Sequence, residues 1–401
     1  MNVFLSGATG FLGRELLFNL AGRDEIAKIF CFVRSSSRNR AILSGIKEQL
    51  EFHRGCHAGN KIATIEGDLL DEGLPQTLGS NKALLETDMI IHAAANTSFS
   101  RINDQLIDRV NINGLENLLQ WAEQLPHLRT FLHISTASVC GMNSTGRLIY
   151  EHESPNPHAS HLVRYTYSKM KAELLLDSYL PIEKILIARP SIIVGDSRPL
   201  MPRSNEISRA IAIINQLRLL PLDEHAMLDM IPVDYAAASI IDLAFTKRQH
   251  RVYHISGGIK GATSTHRLCA SLEAYFKEMP AFRFLDKSMI EEVKLWSNEK
   301  LYAGSRLYDH SNYLDHWINT FKDLKTIRVL FTTLEPYIEF VSLGLAFDNS
   351  RLLEDVQSAR QSIPADIYIK NCIELMEKEF CGRIWPDTHY SKDKKSSHVP
   401  L

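Results

Sequence analysis

Tyr165 and Lys169 stand four residues apart in the run Tyr165-Thr-Tyr-Ser-Lys169-Met-Lys-Ala-Glu173. On a helix that spacing places a phenol and an ammonium on one face. A neighbouring ammonium favours the phenolate, so a phenol that titrates at about 10 in isolation becomes a usable proton donor near neutral pH. Such a pair suits hydride chemistry at a carbonyl, where charge arising on oxygen must be met by a proton. Tyr167 and Lys171 repeat the spacing. Positions two apart on a helix point about 200° apart, so only one of the two pairs can face a given site.

The second set of chemical residues is a set of glycines. Gly7, Gly10 and Gly13 sit between an apolar run, Val3 to Leu5, and a stretch in which Leu12, Leu16, Leu17 and Leu20 recur at helical spacing. A strand, a glycine turn and a helix in that order form a dinucleotide-binding opening. The first glycine permits the turn, the second admits a pyrophosphate against the backbone, and the third lets helix and strand pack closely. The N–H groups of Thr9 to Gly13 would then face the phosphates. Cofactor choice is read at the end of the next apolar run, where Arg34 is followed by Ser35, Ser36, Ser37 and Arg38. A ribose with free hydroxyls calls for an acid at this point, whereas a 2′-phosphate calls for guanidinium and hydroxyl donors, so the chain is expected to bind NADPH.

These residues need a frame to position them. Val3 to Leu5, Ile29 to Val33, Ala63 to Ile65, Met89 to Ala93, Phe131 to Ile134 and Ile185 to Ala188 read as strands, with Val252 to Ile255 as one more. Helical patterns near residues 11–22, 40–53, 103–125 and 165–178 alternate with them. That rhythm predicts an α/β protein with a doubly wound, parallel Rossmann sheet. The expected division is a cofactor domain over residues 1–256, interrupted by a cap at about 196–230, then a mostly helical substrate-binding lobe over 257–390. A lysine- and serine-rich tail over 391–401 reads as disordered. Ile207, Ile211, Ile214 and Leu217 share one face of a cap helix, which serves core packing or an acyl chain.

In combination, the glycine turn and the Tyr165 stretch resemble the extended short-chain dehydrogenase/reductases. Further runs narrow the likeness: His92-Ala-Ala-Ala-Asn-Thr-Ser-Phe99, Val110-Asn111-Ile-Asn-Gly114, His133-Ile-Ser-Thr136-Ala-Ser-Val-Cys-Gly141 and Arg189-Pro-Ser-Ile-Ile-Val-Gly195. Their order and spacing over residues 1–256 resemble the fatty acyl-CoA reductase and thioester reductase family. The resemblance implies roles. Ser168-Lys169 followed by Ala172-Glu173 matches the family context and selects Tyr165 with Lys169. Thr136 takes the substrate-oxygen hydroxyl position, with Ser135 and Ser138 as alternatives. Asn111 would hold a water that links the lysine to solvent. Asp68 and Leu69 would contact the adenine, and the small side chains of Ala93, Ala94 and Ala95 would let ribose and diphosphate approach; His92 is left out of the chemistry.

The activity implied is NADPH-dependent reduction of an acyl thioester, on coenzyme A or an acyl carrier protein, to an aldehyde, with an alcohol after a second hydride. A weaker likeness to the C-terminal domain of fatty acyl-CoA reductases covers Leu334 to Leu353. Epimerases, dehydratases and hydroxysteroid dehydrogenases of the same branch use the same catalytic set, and an NADPH-sensing regulator shares the glycine turn.

Bulk properties remove other classes. Lysine plus arginine number 45 against 47 acids, so no overall charge recommends nucleic acid as a partner. Six scattered cysteines without a Cys-x-x-Cys, and a first strand two residues after Met1, suggest a reducing cytoplasm. His53, Cys56 and His57 lack a second distant ligand pair, so no metal is expected. The most apolar long run, Ile327 to Phe347, carries Arg328, Glu335, Pro336 and Glu339, which argues against a membrane span. An amphipathic helix lying on a membrane surface needs no such run.

Overall fold

The computed structural model describes residues 1–198, 206–357 and 360–380. Seven strands form its central sheet: β1 Asn2–Ser6, β2 Lys28–Val33, β3 Ile62–Glu66, β4 Met89–His92, β5 Thr130–Ile134, β6 Ile185–Pro190 and β7 Val252–Ile255. Every pairing is parallel, in the order β7-β6-β5-β4-β1-β2-β3. The expected strands are therefore all present, and the α/β fold follows from them. The order reverses between β1 and β4, and the crevice beyond the carboxyl ends of those two strands is where such a sheet accepts a ligand.

Side chains alternate between the two faces, as strand geometry requires. Val3, Leu5, Cys31, Ile91 and Leu132 face α1 (Phe11–Ala21), α2 (Ser37–Arg54) and the later helix Val233–Phe245. Phe4, Phe30, Ile90 and Phe131 face α3 (Gly114–Ala122) and α4 (Arg164–Leu176). Both faces are covered, which explains why the strands are apolar throughout. The helix expected over residues 103–125 is broken: Asp104–Asp108 is followed by a π turn, Arg109–Asn113, before α3 begins. Insertions of this kind cluster at functional sites, and Asn111 lies buried within this one.

A second core sits beside the sheet's carboxyl edge. It is built from α5 (Glu206–Leu217), α7 (Thr265–Tyr275), α8 (Ser311–Phe321), α9 (Leu324–Val341) and α10 (Ala365–Phe380), whereas α6 (Val233–Phe245) serves the first core. Trp317 at its centre donates through Nε1 to the Leu217 carbonyl at 2.6 Å, which ties α8 to the end of α5. Pro199 and Pro202 of the expected cap, and the tail, lie outside the described residues.

Two buried carboxylates stitch the lobe back to the sheet. Asp229 accepts from the Gly257 and Phe347 N–H groups at 2.8 and 3.1 Å, and Glu151 accepts from those of His254 and Arg351 at 2.8 Å each. Burial pushes Asp229 up to about 6 and Glu151 up to about 8. Ala346–Phe347 pairs in parallel with Leu148–Ile149, and Leu352 and Val356 enter the first core.

Candidate active site

The glycine turn is dictated by space. Gly7 has φ +79°, and a Cβ there would lie 2.6 Å from the Ala94 nitrogen and 2.7 Å from the Ala93 carbonyl carbon. A Cβ on Gly13 would lie 1.9 Å from the Gly7 oxygen. Neither clash can be relieved by turning a side chain. The Gly10 N–H donates to the Gly7 carbonyl at 2.9 Å, and Gly10 caps α1. Gly7, Gly10, Gly13, Ala93 and Ala95, which carry no side chain or only a methyl group, line a cleft of about 530 Å³ together with Phe11 and Leu12. Thr9 instead uses its carbonyl to accept from Arg14 at 3.1 Å, and the Ala94 N–H donates to Ser6 Oγ at 3.3 Å.

The same cleft is lined by Tyr165, Lys169, Thr136 and Ser138. The Thr136 hydroxyl donates to the Pro190 carbonyl at 3.5 Å and accepts from the Ser138 N–H at 3.3 Å, and it lines the cleft together with the Tyr165 phenol. Lys169 is buried and donates from Nζ to the Ile134 carbonyl at 2.6 Å. Burial lowers Lys169 to about 8, with the Glu173 carboxylate opposing the shift. Tyr165, by contrast, is raised above its ordinary value by burial, which outweighs the opposing influence of Thr136. The lowered phenol expected from the four-residue spacing is thus not the resting state of this site, because Nζ is directed to a carbonyl. The phenol is a firmly protonated donor.

Tyr167 is placed elsewhere. Its ring lies under the Arg164 guanidinium at 4.2 Å and near Lys171 Nζ at 5.8 Å, and it is not among the residues of the cleft. Ser135 is likewise committed: it donates to Glu173 at 2.5 Å, and Glu173 is held by Arg189 Nε and a terminal nitrogen at 2.7–3.2 Å. Both members of this ion pair are almost wholly buried. Fixing α4 to β5 and β6 one turn beyond Lys169, the pair sets which face of α4 meets the cleft. His92 is also structural, with Nδ1 on Ser6 Oγ at 2.8 Å, its ring stacked on His133, and burial lowering it to about 3.

Asn111 spends its amide on protein. Nδ2 donates to the Asn96 carbonyl and to Ser168 Oγ, both at 2.9 Å, and Oδ1 accepts from the Asn96 N–H at 2.7 Å. It braces the loop after β4 against α4, immediately beside Lys169.

Arg34, Ser35 and Arg38, past the carboxyl end of β2, are exposed and are not among the residues that line the cleft. Ser35 donates to Glu66 at 2.7 Å, and Arg40 pairs with the same carboxylate at 2.9 Å. These hydrogen bonds hold Glu66 below the usual carboxylate range. Asp68 closes a turn by accepting from the Leu70 N–H at 3.0 Å. Leu69 packs in the core, and its carbonyl accepts from Asn117 at 2.8 Å.

Beyond Tyr165 the cleft continues into the helical lobe, where sequence reasoning was largely blind. Ile207, Ile211 and Ile214 of α5 line it, with Leu217 turned into the lobe core. Tyr337 and Phe340 of α9 lie opposite, against Phe99 at ring distances of 4.8 and 5.2 Å, and Phe99 lies 6.5 Å from Tyr165. Aromatic residues in an amphipathic helix carry no mark that they will cover a cleft more than a hundred residues away in the chain.

Residues 5–240 match the family described as Male sterility protein. The chain belongs to that family. The motif resemblance to extended short-chain reductases of the thioester reductase kind is borne out accordingly. Outside the Male sterility protein match lie all of α7 to α10 and the aromatic cover that α9 supplies. The chain is 24% identical over 320 residues to fatty acyl-CoA reductase 2 of Homo sapiens, covering 70% of this chain and 62% of the relative. It therefore spans less than two thirds of that protein. In fold it is similar to the terminal R domain of the myxalamid PKS-NRPS biosynthetic pathway, with a TM-score of 0.68 and 22% identity over 94% of this chain and 91% of the domain. It is also similar to UDP-glucuronic acid 4-epimerase from Bacillus cereus, at a TM-score of 0.61 and 18% identity over 95% and 100% of the two chains. Among the described residues, no helix is long and apolar enough to cross a membrane.

Proposed function

We propose that this protein is an NADPH-dependent reductase that converts an acyl thioester, carried on coenzyme A or a carrier protein, to an aldehyde. The observation that carries this reading is continuity: one cleft runs from the glycine turn past Thr136, Tyr165 and Lys169 into a chamber of aliphatic side chains. A sugar nucleotide would need polar partners on that far side, and an acyl chain needs none.

The residues at the turn fit a nicotinamide dinucleotide, since Gly10 lines the cleft at the start of α1 with no protein atom but the Gly7 oxygen, at 3.2 Å, near the place of a Cβ, which leaves its backbone open to a diphosphate. When bound in reduced form, that group supplies a hydride to the carbonyl carbon. Tyr165 and Thr136 donate hydrogen bonds to the oxygen on which charge develops, a stabilisation worth more in a buried site than in water. Tyr165 then gives its proton to that oxygen. Lys169 holds positive charge beside the phenol while this happens, and Asn111 keeps the loop after β4 in register with it. Loss of the thiol from the resulting hemithioacetal leaves the aldehyde, with no covalent bond to the protein. No cysteine nucleophile is called for, and burial pushes Cys140 and Cys269 up to about 11 and about 12, so both stay protonated. Arg34 and Arg38 favour NADPH over NADH, whereas Ser35, occupied by Glu66, contributes less than its position in the sequence suggests.

The test is NADPH and NADH oxidation by the purified protein over acyl-CoA and acyl carrier protein substrates, with aldehyde and alcohol measured separately and UDP-sugars as controls. Thioester-dependent NADPH consumption with stoichiometric thiol release is expected. Dinucleotide binding without turnover of any thioester overturns the reading.

A further inference from the structure

The chamber beyond Tyr165 has a mouth and a floor, and their compositions differ. At the mouth stand half-buried or exposed groups, Phe99, Glu206, Arg209 and Tyr337. On the other side the lining residues are buried: Leu220 and Leu228, with Leu268, Cys269 and Leu272 from α7. The one hydroxyl among the α7 residues of the lining, that of Thr265, is already donated to the Asp223 carbonyl at 2.6 Å, so Thr265 offers its methyl group to the chamber. Cys269 lies beside these residues with its thiol protonated, and a protonated buried thiol behaves as a small apolar group.

We propose that Cys269 and Leu272, neighbours one turn apart on α7, form the end wall that sets how long an unbranched apolar tail the protein accepts. The inference rests on the thioester reductase reading for the identity of the reacting head group, but the end wall is a property of the chamber itself. Positions three apart share a helix face, so both side chains address the same stretch of tail. Leu272 belongs to the lobe core and α7, which carries it, packs against α10, and this backing prevents the wall from yielding to a longer chain. Tails shorter than the chamber leave apolar wall uncovered, and longer ones have no room. Preference therefore rises with length and then falls abruptly.

Two substitutions move the wall in opposite directions. Cys269→Phe extends a ring into the chamber, and Leu272→Ala removes three carbons from its end. The measurement is kcat/KM over straight-chain acyl-CoA substrates of increasing length, read as a long-to-short ratio so that a uniform loss of activity cancels. Each methylene that finds room is worth about fourfold. Cys269→Phe is expected to lower the ratio at least tenfold and move the cutoff to shorter tails, and Leu272→Ala to move it to longer ones. Unchanged ratios in both variants overturn the proposal. Binding of straight-chain 1-alkanols, followed by calorimetry on the same variants, reads the wall without catalysis. A length cutoff that shifts in alkanol binding while wild type reduces no thioester would leave the wall standing and remove the reductase reading. Absence of any alkanol length dependence would remove the wall. Should Cys269→Phe fail to fold, Leu272→Ala and Cys269→Ala test the same boundary from the enlarging side.

Discussion

The two ends of the cleft are built on opposite rules. At the dinucleotide end, backbone approaches backbone so closely that a single methyl group has nowhere to go: Gly7 and Gly13 would drive a Cβ to within 2.6 and 1.9 Å of main-chain atoms. At the chamber end, the walls are side chains from α5, α7 and α9, each of which can be exchanged for another apolar group at modest cost. On the proposed reading, rigid backbone at one end fixes where a reacting group sits, and replaceable side chains at the other decide what it is attached to.

The sharpest test of that contrast sets Gly13→Ala against Leu272→Ala. The first should abolish dinucleotide binding and cost about 3 kcal/mol or more of stability, since no side-chain rotation relieves the overlap. The second leaves dinucleotide affinity untouched. Equal losses of NADPH affinity, measured by fluorescence titration, would break the comparison. Between the two ends, Tyr165→Phe should lower kcat by about 10²–10⁴ while Tyr167→Phe stays within about twofold, because of the two tyrosines Tyr165 alone lines the cleft with Thr136 and Lys169. The reverse result would relocate the site to the Tyr167 and Lys171 face of α4.

How much of this was legible differs along the same line. The glycine turn, β1 to β7, and the spacing of Tyr165 and Lys169 were readable, because each follows from a constraint local to a few residues. The choice of Tyr165 over Tyr167 comes from the family context of Ser168, Lys169, Ala172 and Glu173; what holds that face to the cleft, the buried Glu173 and Arg189 pair, joins two motif runs but leaves no trace of its geometry in either. Asn111 was readable as a position and not as a brace: its partner Asn96 is fifteen residues away, and the π turn that carries it has no periodic signature. The return of residues 346–356 to the sheet was invisible, since it depends on Asp229 and Glu151, which look like ordinary surface acids until burial is known. The chamber wall was least legible of all, because Leu268 and Leu272 have the spacing of any packed helix.

Asn111→Asp separates bracing from mere burial. Aspartate keeps the acceptor for the Asn96 N–H but loses both donors, so the Asn96 carbonyl goes unpaired and Ser168 keeps only its own bond to the Tyr165 carbonyl, at about 2 kcal/mol in urea unfolding. A loss below about 0.5 kcal/mol would mean that the loop after β4 holds itself.

Lys169 offers a pH signature with two signs. Its folded value of about 8 lies below its ordinary 10.5, so the unfolded chain binds more protons between those values and this group adds stability as pH rises through that window. Activity moves the other way. If the ammonium is required, kcat/KM falls about tenfold per pH unit above about 8, and Tyr165, raised by burial, adds no second limb there. Lys169→Arg keeps the charge and should remove the falling limb even where it lowers the rate. A limb that persists in that variant belongs to another group.

The smallest effect concerns the corner beyond β2. Arg34 and Arg38 are exposed, so each contributes only a screened contact to a 2′-phosphate, and Arg34→Ala or Arg38→Ala should lower the NADPH-to-NADH ratio of kcat/KM by about tenfold at low salt. Raising the ionic strength should shrink that ratio in wild type and leave it nearly flat in the double variant. Glu66 is the useful control, because its carboxylate is taken up by Ser35 and Arg40 and repels a phosphate only weakly. Glu66→Gln should therefore raise NADPH preference by about threefold at most, and a larger gain would show that the carboxylate, and not the two arginines, governs the choice of dinucleotide at this corner.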